Sequence, residues 1–255
     1  MQIKKITNYL LKQYPLSLQE EWDESGFLNR GNLNQDTKKV FVCLDLNEKT
    51  IDEAIKQKAK LVVSHHPIFC KNTEHKLLSF YERLIKKIKK NNITVLSLHT
   101  CFDNSDVGMN FLVGTKLKLK NLKWYKQAKF VVGNLTKAQT VKQIADNFKK
   151  IFHVSLLTTN AQANDKYSKL AICSGAGLSV FAEKYDELAK QNILLITGDI
   201  KHHGWQDLSN YKLKAIDVSH ALENCFSDFI ASLIKQQFKQ VSCLSITTTK
   251  KESVI

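Results

Sequence analysis

Arginine and proline are almost missing from this chain. Of 255 residues only two are arginine, Arg30 and Arg83, and only two are proline. The scarcity of arginine weakens the reading that a net charge of +14 invites. Arginine carries the planar fork that matches phosphates and base edges, whereas lysine is a point charge. The lysines are spread over most of the chain beside abundant asparagine, as in a compositional bias. Nucleic acid therefore stands as a partner that the composition does not favour, although the positive field would attract anionic substrates. No apolar run approaches the ~18–20 residues of a membrane span, so no membrane partner is expected. The opening MQIKKITNYLLKQYPL is too polar and too periodic for a signal peptide. The six cysteines include no CxxC pair. They read as reduced thiols, and the expected location is cytoplasmic. A P-loop or other nucleotide fingerprint is also lacking.

What is present is ordinary globular composition, 43% apolar and 24% charged, in a length suited to one or two domains. Ile3, Ile6, Leu10 and Leu11 share one face of a helix over 2–14, which Pro15 ends. Strands are expected at 39–45, 61–64 and 93–98, alternating with helices at 49–58 and 74–90. That alternation implies parallel pairing and an α/β fold. A transition follows over about 111–128. A second block then predicts strands at 130–132, 154–158, 169–173, 192–197, 214–218 and 240–248. Its helices are expected at 140–152, 178–190, 202–210 and 221–237.

Three of these strands end in chemistry. They run into Ser64-His65-His66-Pro67, into His99-Thr100-Cys101-Phe102-Asp103, and into Ser219-His220-Ala221-Leu222-Glu223. Ligands of open α/β sheets bind beyond the carboxyl ends of strands. Successive residues leaving a strand point to opposite sides, so His65 and His66 suit two metal ions better than one. Read blandly, they are two polar residues at a strand end. Asp103 offers an oxygen ligand, with His99 as ligand, orienter or proton carrier; alternatively Asp103 caps a helix. His220 and Glu223 share one helical face at spacing i, i+3; alternatively Glu223 only answers the helix dipole. His203, after Thr197-Gly198-Asp199, is a candidate acid/base or phosphate contact, or else an exposed turn residue. Together His65, His66, Asp103, His220 and Glu223 make three imidazoles and two carboxylates. With Glu223 bridging, they are enough for two metals about 3.5–4 Å apart.

The order and wording of the motifs resemble the NIF-three-like dinuclear-metal family, whose members carry the label GTP cyclohydrolase type-two homologue. The matching segments are Glu21–Leu28, Leu44-Asp45, Ser64–Phe69, His99–Asp103, Gly108-Met109-Asn110, Thr197–His203 and Asp217–Glu223. The resemblance implies two α/β domains, each a sheet flanked by helices. Residues 1–124 plus 217–255 would form the metal-site domain and 125–216 the second. It also implies two divalent ions per chain (Zn, Fe, Mn or Ni) at the five positions above, and a toroidal homohexamer. The activity it implies is metal-dependent hydrolysis of a small molecule by activated water, with Glu223, His99 and His203 in catalysis. The alternative is a non-catalytic metal-binding or interaction module, an adaptor or metal chaperone. Two departures stand out. The family usually has glycine where Ser219 precedes the late histidine. Cys101 and Phe102 occupy the middle of the HTxxD stretch, with Cys101 a soft ligand or a packing residue.

Overall fold

The computed structural model describes residues 1–68, 79–125 and 128–246. Phe69, Cys70, the beginning of the helix expected at 74–90 and the end of the strand expected at 240–248 lie outside them. In chain order the elements begin α1 (Ile3–Gln13), β1 (Gly26–Asn29), β2 (Lys39–Cys43), α2 (Glu48–Lys56), β3 (Leu61–Ser64), α3 (Ser79–Lys90), β4 (Thr94–Ser97) and α4 (Thr100–Asp103). They continue α5 (Met109–Lys116), β5 (Lys120–Trp124), β6 (Val131–Thr140), α6 (Val141–Phe152), β7 (Thr158–Thr159), β8 (Lys166–Ile172), α7 (Leu178–Ala182) and α8 (Tyr185–Leu188). The last are β9 (Ile193–Thr197), α9 (His202–Asn210), β10 (Lys214–Asp217), α10 (Cys225–Gln237) and β11 (Ser242–Ile246). The fold is α/β, in two compact units. One comprises Met1–Ser105 and the segment beginning at Asn224; the other is Asp106–Glu223.

The first unit holds a five-stranded sheet in the order β1-β4-β3-β2-β11. β2, β3, β4 and β11 are mutually parallel, and β1 closes one edge antiparallel. Every residue of β3 and β4 is buried, as parallel strands covered on both faces require. Phe41, Val62 and Val95 pack on one face with Ile51 and Ala54 of α2 and Leu84 and Ile88 of α3. α10 lies against β2 and β11. The expected face of α1 is inward, with Ile3, Ile6 and Leu10 buried and Leu11 half-buried. Register aligns Cys43 with Ser64 and Ser64 with Ser97. The residues just past β2, β3 and β4 therefore emerge side by side along one sheet edge.

The second unit carries a six-stranded mixed sheet, β5-β6-β8-β9-β10-β7. Its centre repeats the same device. β8, β9 and β10 are parallel, with Ile172 beside Ile196 and Thr197 beside Asp217. Phe130, Ala171, Leu195 and Ala215 build its core with Phe181, Leu188 and Leu208. The stretch read as a transition contains α5 and β5, both in this unit. The strand expected at 154–158 is reduced to Thr158–Thr159, and the helix expected at 178–190 is broken into α7 and α8.

Candidate metal centre

In the first unit, β3 delivers His65 and His66, and the next strand β4 delivers His99. The chain bends as it leaves β3, so the two adjacent imidazoles lie together, ring centroids 4.8 Å apart. The ring of His99 is 5.2 Å from each of them. Donor atoms of His65, His66 and His99 all fall within 4.8 Å of one another, a group that could hold a metal ion. Asp103, the last residue of α4, sets its Oδ1 3.7 Å from His65 Nε2. The helix cap that competed for Asp103 is not its role, because α5 begins from Gly108.

Each of these imidazoles is gripped at Nδ1 by an oxygen. His65 Nδ1 lies 2.8 Å from the Leu98 carbonyl, His66 Nδ1 2.7 Å from Asp45 Oδ1, and His99 Nδ1 2.9 Å from Asp23 Oδ1. Carbonyls and carboxylates only accept, so the proton resides on Nδ1 and the lone pair on Nε2. This is the arrangement that orients histidine for metal ligation. Asp45 follows β2 and thus flanks His66 along the sheet edge. Asp23 is fully buried and takes hydrogen bonds from the Glu24 amide, the Ser25 hydroxyl, and both the amide and hydroxyl of Thr100. Burial pushes its carboxyl up, but these bonds and His99 outweigh burial and hold it well below the usual carboxylate range. On the apolar side, His65 packs against Phe226, and Phe102 joins Tyr14 and Phe226 in the same aromatic cluster. Cys101 is fully buried, and burial pushes its thiol up to about 12. It packs in the interior and belongs to no donor group among the described residues.

In the second unit, a 3-10 turn after β10 carries His220 and Glu223. His220 is held between carboxylates, with Nδ1 2.5 Å from Asp199 Oδ2 and Nε2 3.1 Å from Glu223 Oε2. Glu223 is only 3% exposed. A buried carboxylate needs a cation or donors, and an imidazole that gives its Nδ1 proton to Asp199 can turn Nε2 to a metal shared with Glu223. In a tetrahedral site with bonds near 2.05 Å, donor atoms stand about 3.3 Å apart. The 3.1 Å and 3.7 Å spacings bracket that figure. Imidazole with carboxylate is a donor set for Zn, Mn, Fe or Ni, so the residues present fit a divalent ion. Ser219, at the position where the resemblance leads one to expect glycine, adopts φ +64°, and Asp199 adopts +53°. The non-glycine residue is thus accommodated in the left-handed region, its amide bonded to Asp217 Oδ1 at 2.9 Å.

Other expected residues fall elsewhere. His203 is exposed in the first turn of α9, beside the ring of His202, and belongs to no donor group among the described residues. Sequence reasoning assigned no role to Asp23, Asp45 or Asp199, the three carboxylates that fix the imidazoles. Asp45 and Asp199 were within reach, since each lies two residues past a strand, as His66 and His99 do. Asp23 sits in irregular chain, where periodicity carries no signal.

The family description Duf34/NIF3 (NGG1p interacting factor 3) matches residues 1–252. A GTP cyclohydrolase 1 type 2 homolog of Ureaplasma parvum is 33% identical over 230 residues, 88% of this chain and 86% of that protein. Among solved structures, a Bacillus cereus protein related to NIF3 superposes with a TM-score of 0.85 at 18% identity, covering 100% of this chain and 99% of the other. A Staphylococcus aureus protein does so with a TM-score of 0.84 at 21% identity, again over 100% and 99%. At such identities the two structures speak for the fold alone. The family match over nearly the whole length, and the Ureaplasma relative, establish that the chain belongs to the Duf34/NIF3 family.

Proposed function

We propose that this chain is a dinuclear metal protein of the hydrolase type, with His65, His66, Asp103, His220 and Glu223 as its ligands. One observation carries the reading. The imidazoles of His65, His66 and His99 are each anchored at Nδ1 by an oxygen acceptor, which leaves Nε2 as the ligand atom, and His220, with Asp199 at Nδ1, turns Nε2 toward the Glu223 carboxylate. When bound, a pair of divalent ions supplies Lewis acidity and lowers the pKa of water toward neutrality. The chain's own part is orientation and proton handling. Glu223, with two carboxylate oxygens, would be the ligand the two ions share. His99 suits the proton carrier: Asp23 holds its Nδ1 proton, so Nε2 accepts and returns a proton without the ring turning. His203, exposed on α9, serves a later proton step or a substrate anion. Free cysteines among the described residues support a reducing, cytoplasmic setting.

Metal analysis of the purified protein tests this. About two ions per chain are expected, lost in a His65→Ala plus Glu223→Ala protein. Unaltered metal content in that variant would sink the assignment. The relatives' name makes GTP ring opening, read as formate release, the first substrate to try, followed by amides, esters and phosphoesters. Full metal occupancy with no turnover on any of these would leave a metal-binding module without hydrolase chemistry.

A further inference from the structure

Glu223 is held in place by more than its own turn, and the hold begins on α5. Three parallel strands end in left-handed residues: Gly175 beyond β8 at φ +62°, Asp199 beyond β9 at +53° and Ser219 beyond β10 at +64°. The three turns lie against each other. The Gly198 amide donates to the Gly175 carbonyl at 2.8 Å, and the Val218 amide to the Thr197 carbonyl at 2.8 Å. Glu223 leans on the first turn so closely that a Cβ on Gly175 would stand 2.7 Å from Glu223 Oε1. That turn is pinned from outside by Asn110 of α5, itself only 2% exposed. Asn110 Oδ1 accepts from the Ser174 amide at 2.8 Å and from the Ser174 hydroxyl at 3.0 Å. The asparagine's Nδ2 donates to the Lys129 carbonyl at 3.4 Å.

We infer that Asn110 is a positioning residue for Glu223, acting through the Ser174–Gly175 turn to set the carboxylate that bridges the metals. This rests on the dinuclear reading above. An amide buried in α5 with both faces committed to other loops serves no helix of its own. What it fixes is the backbone against which Glu223 rests. Losing it frees the turn on which the carboxylate rests. Partners one step behind metal ligands are typically worth 10–100-fold in metal affinity.

The test is Co2+ titration of the full chain followed by visible absorption, which reads stoichiometry, affinity and ligand geometry together. Wild type should bind two Co2+ per chain. Asn110→Leu, of similar volume but without the acceptor, should bind one of them 10–100-fold more weakly, with an altered spectrum. Asn110→Asp keeps the acceptor for Ser174 and should recover most of the affinity. Gly175→Ala, whose Cβ meets Glu223 directly, should weaken the same Co2+ and alter its spectrum even where Asn110→Leu folds poorly. Two Co2+ bound by both Asn110→Leu and Gly175→Ala with wild-type affinity and spectrum would overturn the inference and leave the dinuclear reading standing. Wild type binding no Co2+ would overturn both.

Discussion

Asp23 concentrates the first unit's polar design in one side chain. A fully buried carboxylate that collects donors from Glu24, Ser25, Thr100 and His99 ties the irregular segment before β1 to the start of α4. Its folded-state pKa lies below the unfolded value. Its contribution is therefore complete above about pH 4 and drains away as acid titrates it below that. Asp23→Asn should cost about 2–3 kcal/mol at pH 7, from lost charge-assisted hydrogen bonds. Urea unfolding in chelator, at pH 7 and again near pH 3, checks this: the gap to wild type should narrow at the lower pH. Residues of this kind are where sequence reading stops. His65, His66, His99 and His220 were legible because they follow apolar runs recognisable as strands. Asp23 follows no run, and its meaning comes from residues about 76 positions away.

Among elements, the helices with strong caps and periodic faces were the readable ones. α6 opens with a reciprocal cap: the Gln143 amide donates to Thr140 Oγ1 at 3.2 Å, and the Thr140 amide to Gln143 Oε1 at 2.9 Å. Val141, Ile144 and Phe148 follow on the buried face. Thr140→Ala should cost about 1 kcal/mol, seen as a lower denaturant midpoint with unchanged slope. The break between α7 and α8 was not readable, because Phe181, Tyr185 and Leu188 are all buried and stay in helical phase across it. Periodicity does not register the two-residue interruption at Glu183 and Lys184, the C-cap of α7 and the N-cap of α8. β1 escaped for a different reason. It has four residues at a sheet edge with one of them buried, so neither an alternating nor a continuous apolar pattern forms.

At the scale of the whole molecule, the α/β class followed from the strand–helix alternation, because parallel strands buried on both faces leave apolar runs that are hard to mistake. Assembly leaves no such trace. Among the described residues the exposed large apolar side chains are Leu18, Trp22, Val107, Leu156 and Tyr211. They do not spell out an interface in the sequence, and the toroidal hexamer is an expectation drawn from the resemblance alone. Light scattering is expected to give the mass of six chains of 29.1 kDa. A monomer or dimer at micromolar concentration would overturn that expectation. The net charge of +14 bears on solubility and attraction of anions, and it did not help to locate the fold or the metal donors.

The anchors of the four histidines are not equivalent to mutation. Three rest on aspartate side chains, Asp45, Asp23 and Asp199, and a single codon change removes any of them. The fourth, His65, rests on the Leu98 carbonyl, which every amino acid at position 98 would supply. Drift or selection can therefore retune the basicity of three imidazoles one at a time. The tautomer of His65 belongs to the fold itself and changes only if the end of β4 moves.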